Sequence, residues 1–282
     1  MYPPLEILFE DNHCLAVVKP APLLTQAPPE IPSLEALVRA YLKERYQKPG
    51  YVYLGIPHRL DRPVSGVVLF ARQTKAAQRL HEQFQQRQVT KVYWAAVEGD
   101  VQPEAGVWED WLLKVQEASR SERAAPDAPG AKHAVLHYRR LAGDGNRTLL
   151  ELQPQTGRMH QLRVQTALRG WPVLGDTHYG ATQPFGPAAE LSRDRIIALH
   201  ARQLTFLHPI RYEPITVTAP LPAVWDDLPF VISFSREPEV SAGQEGAPPA
   251  RGEKTRKTIR INTGRHNIGG QLVRGGAGRG GG

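Results

Sequence analysis

Cysteine is nearly missing: Cys14 is the only one in 282 residues. A disulfide within the chain is therefore excluded, and so is a zinc site built from cysteines alone. Cys14 sits in the apolar run CLAVV and reads as a small core side chain. No apolar run approaches the roughly 20 residues that a membrane-spanning helix needs. The opening MYPPLEILFEDNH has neither the basic start nor the apolar stretch of a secretory leader, so a soluble, cytoplasmic protein is expected. No internal repeat is visible. Neither a phosphate-binding P-loop nor a GxGxxG after a strand occurs. His133 and His137 are four apart without the HExxH pattern, and no metal site is expected. The PCxxC segment of zinc nucleobase deaminases cannot be made with one cysteine.

Charge of one sign is also missing from most of the chain. Residues 251–282 carry eight Lys/Arg and one acid, which accounts for the whole net charge of +7. Residues 1–250 balance at zero, so a basic surface there must be a local cluster. From Arg236 the composition turns to Gly, Pro, Arg, Glu and Ser. Such a segment has too little apolar side chain to offset the entropy of folding, and 236–282 is expected to be a disordered basic tail. Its end, RGGAGRGGG, resembles Arg-Gly-Gly segments of RNA-binding tails; a solvated tail without a specific job fits equally well. Residues 1–235 are expected to form one globular domain.

Within 1–235 the pattern is mixed. Leu5–Phe9 and Leu15–Lys19 predict two strands around the turn Glu10-Asp11-Asn12-His13. Ser33 caps a helix whose face carries Leu34, Leu37, Val38, Tyr41 and Leu42. Val67–Ala71 is a continuous apolar run, as in a strand covered on both faces. Thr74–Arg87 predicts a helix, Val92–Val97 a strand, and 116–132 an exposed excursion rich in Pro, Gly and charge. Thr148–Leu152 predicts a strand and Arg158–Arg169 a helix ended at Gly170. Ile196–Leu199, Leu204–Leu207 and Ile215–Thr218 are further strand candidates. Helices and strands interleave without strict alternation, which predicts an α/β or α+β fold with a mixed sheet.

Two polar segments lie against apolar elements: Pro57–Gly66, containing His58-Arg59-Leu60-Asp61-Arg62, and Thr156–Val164, containing Arg158-Met159-His160-Gln161-Leu162-Arg163. A loop backed by rigid structure is a good place to hold a reacting group. Taken alone, Asp61 before Arg-Pro is a common turn former, the arginines fit surface charges, and the histidines fit hydrogen-bonded edge residues.

Five segments together resemble the RluA-type RNA pseudouridine synthases: EILFEDNHCLAVVKPAPLLTQ at 6–26, HRLDRPVSGVVLFAR at 58–72, KVYWAAVEG at 91–99, TGRMHQLRVQTALRGWPVLGDTHYG at 156–180 and ALHARQLTFLHP at 198–209. They occur in order across about residues 5–222. The resemblance implies a mostly antiparallel central sheet flanked by helices, with the catalytic cleft across it. It implies an enzyme that isomerises specific uridines of ribosomal or transfer RNA, with no cofactor and no metal. Asp61 matches the catalytic aspartate, Tyr93 the tyrosine that stacks on the base, and Arg163 the basic partner of the aspartate. Leu162 matches an apolar neighbour of the site, and Arg59 an arginine that fills the space of an extruded base. His58, Arg62, Arg158, His160 and Gln161 are the remaining candidates for RNA contact. Val64, Met159, Gln165 and Trp171 depart from the usual residues, and these departures bear on substrate contacts more than on chemistry. The small S4-like domain of many relatives is not expected, and neither is a protein partner; a monomer is. Rival readings are a non-enzymatic RNA-binding protein on the same fold, and a glycosidase needing a second acid, for which Asp176 is the motif-borne candidate.

Overall fold

The predicted opening hairpin forms as β1 (Ile7–Glu10) and β2 (Cys14–Lys19). Asp11 makes its turn, with Oδ1 accepting the backbone N–H groups of His13 and Cys14, each at 2.8 Å. The computed structural model describes residues 4–231 apart from 116 and 229. The chain divides into two units, Met1–Pro238 and Glu239–Gly282, and the described residues all belong to the first. The expectation of a disordered tail over 236–282 lies outside the described residues. Among those described, no helix is long and apolar enough to cross a membrane.

Ser33 caps α1 (Leu34–Arg45) through an Oγ that accepts the Ala36 N–H at 3.3 Å. β3 (Ser65–Ala71) pairs antiparallel with β2 and is buried along its whole length. Side chains alternate between faces along a strand. Val17, Val68 and Phe70 therefore pack with Leu34, Val38 and Leu42 of α1. Ala16, Val67 and Leu69 pack on the other face with Ala76 and Leu80 of α2 (Thr74–Gln85). Burial on both faces is why this run shows no polar alternation.

The remaining strands are β4 (Thr90–Glu98), β5 (Ala105–Val115), β6 (Arg120–Arg123), β7 (Lys132–Gly143), β8 (Arg147–Pro154), β9 (Leu199–Leu207) and β10 (Pro214–Thr218). They complete a ten-stranded sheet in the order β1-β2-β3-β9-β4-β8-β7-β5-β6, with β10 on β9. Among the described strands the pairing is antiparallel except between β3 and β9. This is the mixed, mostly antiparallel α+β architecture that the sequence predicts. The parallel contact is short, pairing Ser65 with His200 and Gly66 with Ala201. Gly66 has φ 118°, and a Cβ there would collide with the Ala201 backbone. Only glycine lets these two strands meet.

Three expectations need correction. The excursion at 116–132 is not wholly exposed: β6 forms inside it on β5, and Ser121 is buried. Ile196–Leu199 and Leu204–Leu207 are not two strands. One strand, β9, runs from Leu199 through the polar Arg202-Gln203, because β4 and β10 continue to pair with it there. The helix expected over Arg158–Arg169 is shorter, α3 (Gln161–Ala167), because His160 takes a left-handed backbone at φ 52°.

Candidate active site

The loop that carries Asp61 leads into β3, and two side chains from outside it, with one of its own, hold it still. Thr25 Oγ1 accepts the Leu60 N–H at 3.1 Å and donates to the Leu60 carbonyl at 2.9 Å. Lys19, fully buried, donates to the carbonyls of Leu23 at 2.6 Å and of Pro20 and Arg62 at 3.2 Å. Burial brings the Lys19 ammonium down to about 7, against the opposing pull of Asp61. His58 Nε2 accepts the Leu69 N–H at 2.9 Å while its ring stacks on Phe84 at 4.6 Å. Burial, with Lys91 adding to it, lowers the His58 pKa to about 3, so the ring is neutral and can accept. A turn closed by Val64 N–H on the Asp61 carbonyl at 3.1 Å completes the loop.

Tyr93 comes from β4 in the middle of the sheet, opposite Leu152 of β8 and Ala201 of β9. The β4–β9 register shifts between Val92 and Tyr93, and such a bulge re-aims a side chain. Asp61 and Tyr93 line one cleft of about 680 Å³ with the segment from β8 to α3, including Arg158, His160 and Arg163. Burial, helped by the charge of Asp61, pushes the Tyr93 phenol well above its ordinary range.

Arg163 does contact Asp61, its Nη1 donating to Oδ2 at 3.4 Å. Its principal partner is Asp176, the residue that the sequence offered as a glycosidase's second acid. Nε donates to Asp176 Oδ2 at 2.6 Å and Nη2 to Oδ1 at 2.8 Å. Both side chains are buried. Burial opposes the guanidinium charge, yet the bonds and charge of Asp176, then of Asp61, raise its pKa above the ordinary value. The bidentate grip fixes Arg163 from behind and leaves one N–H edge for the cleft. It also occupies both Asp176 oxygens, so Asp176 is unsuited to be the second acid of a glycosidase.

The other candidates separate into two groups. Arg59 is exposed in the cleft wall, and Leu162 is buried beside it. Arg158 donates through Nε to the His133 carbonyl at 2.9 Å, and burial followed by Arg87 lowers its pKa. Arg62 lies 3.5 Å from Asp194 and is absent from the cleft lining. Gln161 is buried and its amide is fully engaged. Its oxygen accepts from Thr156 Oγ1 and Arg158 N, and its nitrogen donates to Val135 O and Gln165 Oε1. Gln161 therefore holds the cleft's wall with no amide atom free for RNA, and His58 gives its Nε2 to the Leu69 N–H. His160 Nε2 lies 3.5 Å from Asp61 Oδ2, which brings it to the carboxylate itself. Sequence reasoning missed Lys19, Thr25 and Tyr179, and gave Asp176 a different role. It also missed Lys91 in the cleft wall, where burial and then Arg87 lower the ammonium pKa. All five stand inside or beside the five segments, which was the available signal.

The arrangement is a carboxylate on a clamped loop, a guanidinium fixed behind it, and an aromatic ring across a cleft with basic walls. A family model described as RNA pseudouridylate synthase matches residues 13–168. An uncharacterized RNA pseudouridine synthase of Zymomonas mobilis is 37% identical over 226 residues, 79% of this chain and 97% of that protein. Ribosomal large subunit pseudouridine synthase D of Xanthomonas campestris is 36% identical over 247 residues, 86% of this chain and 72% of its own. Among solved structures, human RNA pseudouridylate synthase domain containing 4 superposes with a TM-score of 0.63 at 26% identity, covering 77% of this chain and 88% of that one.

Proposed function

The chain belongs to the RNA pseudouridylate synthase family and is an RNA pseudouridine synthase, and from that premise we propose that it isomerises particular uridines of ribosomal or transfer RNA with Asp61 as the catalytic carboxylate. Relatives named for each RNA class stand at similar identity, ribosomal synthase D at 36% and transfer RNA synthase C of Pasteurella multocida at 34%.

The reaction breaks the bond from uracil N1 to the ribose and makes one from C5 to the same anomeric carbon. The proton lost from C5 is matched by one gained at N1, so no redox partner is required. A carboxylate on the sugar face serves either as nucleophile at the anomeric carbon or as acceptor of a sugar proton. Asp61 is suited to both, because its loop cannot retreat and Arg163 opposes its charge.

A stacked uridine is out of reach and must be turned out of its helix or loop, at a cost of a few kcal/mol. The cleft volume is within the range of small-molecule sites. Tyr93 offers a ring for the freed uracil, worth about 1–3 kcal/mol of stacking. Its phenol stays protonated, so its hydroxyl takes the C5 proton only while passing its own on. Arg59, exposed at the wall, occupies the vacancy in the RNA. Lys91, Arg87 and Arg158 meet phosphates in a salt-dependent way.

The observation that carries this reading is the convergence of Asp61, Tyr93 and Arg163 on one cleft. Asp61→Asn tests it. The variant should bind a uridine-containing RNA as the wild type does and form no pseudouridine detectable by carbodiimide labelling. Wild-type turnover by Asp61→Asn rejects the assignment.

A further inference from the structure

A chain of polar contacts reaches Asp61 from the far side of α3. It begins at Ser121 on β6, whose backbone N–H donates to Tyr179 Oη at 2.9 Å. Tyr179 Oη lies 2.9 Å from His160 Nδ1. His160 Nε2 lies 3.5 Å from Asp61 Oδ2. The proton inventory fixes the direction. Ser121 N can only donate, so Tyr179 Oη accepts there. Among the described residues, His160 Nδ1 is the acceptor available for the Tyr179 proton. Nδ1 then takes the hydrogen bond, and the neutral ring carries its own proton on Nε2.

We propose that His160, held as this tautomer by Tyr179, is a positioning residue that fixes the rotation of the Asp61 carboxylate; the proposal rests on Asp61 being the catalyst. His160 Nε2 and Arg163 Nη1 both lie against Oδ2. Among the described residues none is paired with Oδ1. The Arg163 hydrogen bond and the His160 ring nitrogen facing the same oxygen from 3.5 Å oppose a flip of the carboxylate and leave Oδ1 as the oxygen that faces the ribose. Geometric control of this kind is worth large factors in rate, because small misplacements of a reacting atom are costly.

The surroundings favour the neutral ring. Burial lowers the His160 pKa, Arg163 and His178 lower it further, and Asp61 and Asp176 oppose them. The rings of His178 and Tyr179 stand edge-on to His160 at 6.1 and 5.7 Å and limit its tilt. Burial raises the Tyr179 phenol pKa, so it keeps the proton it donates. The left-handed backbone at His160 is the cost of aiming the ring this way. Asparagine tolerates that backbone well.

The test uses the full chain, a uridine-containing RNA that it modifies, and single-turnover rates beside RNA affinity. His160→Asn keeps the backbone but is too short to reach Asp61. It should slow the rate about tenfold, the scale of one lost bond to a charged group, with affinity within about twofold. His160→Gln places an amide N–H near the Nε2 position and should recover most of the rate. Tyr179→Phe should slow the rate several-fold, and ¹⁵N imidazole shifts should show His160 leaving the Nε2–H tautomer. If His160→Asn weakens binding and leaves the rate alone, His160 is an RNA contact and the proposal fails. Wild-type rates in both His160→Asn and Tyr179→Phe also overturn it. Should His160→Asn not fold, Tyr179→Phe decides alone, since it removes one oxygen. Asp61→Asn runs beside them: if it is active the underlying assignment fails, whereas if it is dead and the others are normal only this proposal fails.

Discussion

Asp176→Asn should be a severe change although residue 176 is absent from the cleft lining. Arg163 is 7% exposed, and Asp176 takes two of its N–H groups at 2.6 and 2.8 Å. Removing one partner of a buried ion pair costs about 3–5 kcal/mol. Here Asp61 at 3.4 Å still offsets part of the stranded charge, so about 3 kcal/mol is expected. In a domain of this size 1 kcal/mol moves the melting temperature by about 2–4 °C, giving a fall of about 6–12 °C in a thermal melt. Turnover should fall by at least about tenfold, because a guanidinium released from Asp176 re-centres on Asp61 and covers the oxygen meant for ribose. Arg163→Met and the double variant complete a cycle, whose coupling should be about 2 kcal/mol or more. A fall below about 1 kcal/mol, or additive single effects, refutes the reasoning.

Gly66→Ala should break the β3–β9 contact and destabilise the protein by several kcal/mol. A fully folded, active variant in circular dichroism and turnover assays would show that β9 can give way. For Asp11, burial opposes the charge, but the Cys14 and His13 amides and the His208 ring outweigh it and lower the pKa from 3.8 to about 2. At 1.36 kcal/mol per pH unit this is about 2 kcal/mol of stability. It is fully present above about pH 4 and lost as pH falls towards 2, because the folded state binds the proton less readily than the unfolded. Denaturant titrations should find Asp11→Asn weaker by about this amount at pH 7, with the gap closing below pH 3; a gap constant with pH refutes the assignment.

The family was more legible in the sequence than the scaffold around the candidate site. His58–Asp61 and Gly157–Arg163 are short runs in which residue type and order are constrained together, so five such runs outweigh the ambiguity of each. Their partners were not legible, because a clamp needs only a donor or acceptor at the right point in space. Thr25, Lys19 and Asp176 look like an ordinary loop threonine, strand lysine and turn aspartate. His58 and Gln161 misled in the opposite direction. Within a functional motif they looked like RNA contacts, whereas the Gln161 amide is taken up by Val135 O, Thr156, Arg158 N and Gln165, and His58 Nε2 by Leu69 N. β5 and β7 went unnoticed because Glu109, Asp110, Arg139 and Arg140 interrupt their apolar pattern. Asp110 is nonetheless buried, paired with Arg169 at 2.9 Å and bonded to Gln165 at 2.8 Å. Alternation with a buried charge on the inner face does not read as a strand.

The four departures from the family pattern do not act as a group. Gln165, fully buried on α3, joins Gln161 to Asp110 and to the Trp108 carbonyl and is itself absent from the cleft lining. Trp171 stacks with Trp108 at 5.9 Å and is equally outside that lining. A substitution at either place must satisfy the packing of β5 against α3, and it carries no information about RNA. Val64 and Met159 do line the cleft, one on each of the two loops that face each other across it. Both put an apolar side chain where the resemblance to RluA-type synthases implies a threonine hydroxyl. A hydroxyl in a dry site discriminates strongly against a partner lacking the matching group, whereas an apolar wall discriminates by shape alone. Any difference in substrate choice between this enzyme and its relatives that arises inside the cleft is therefore expected to trace to Val64 and Met159, and to take the form of looser recognition rather than a changed reaction.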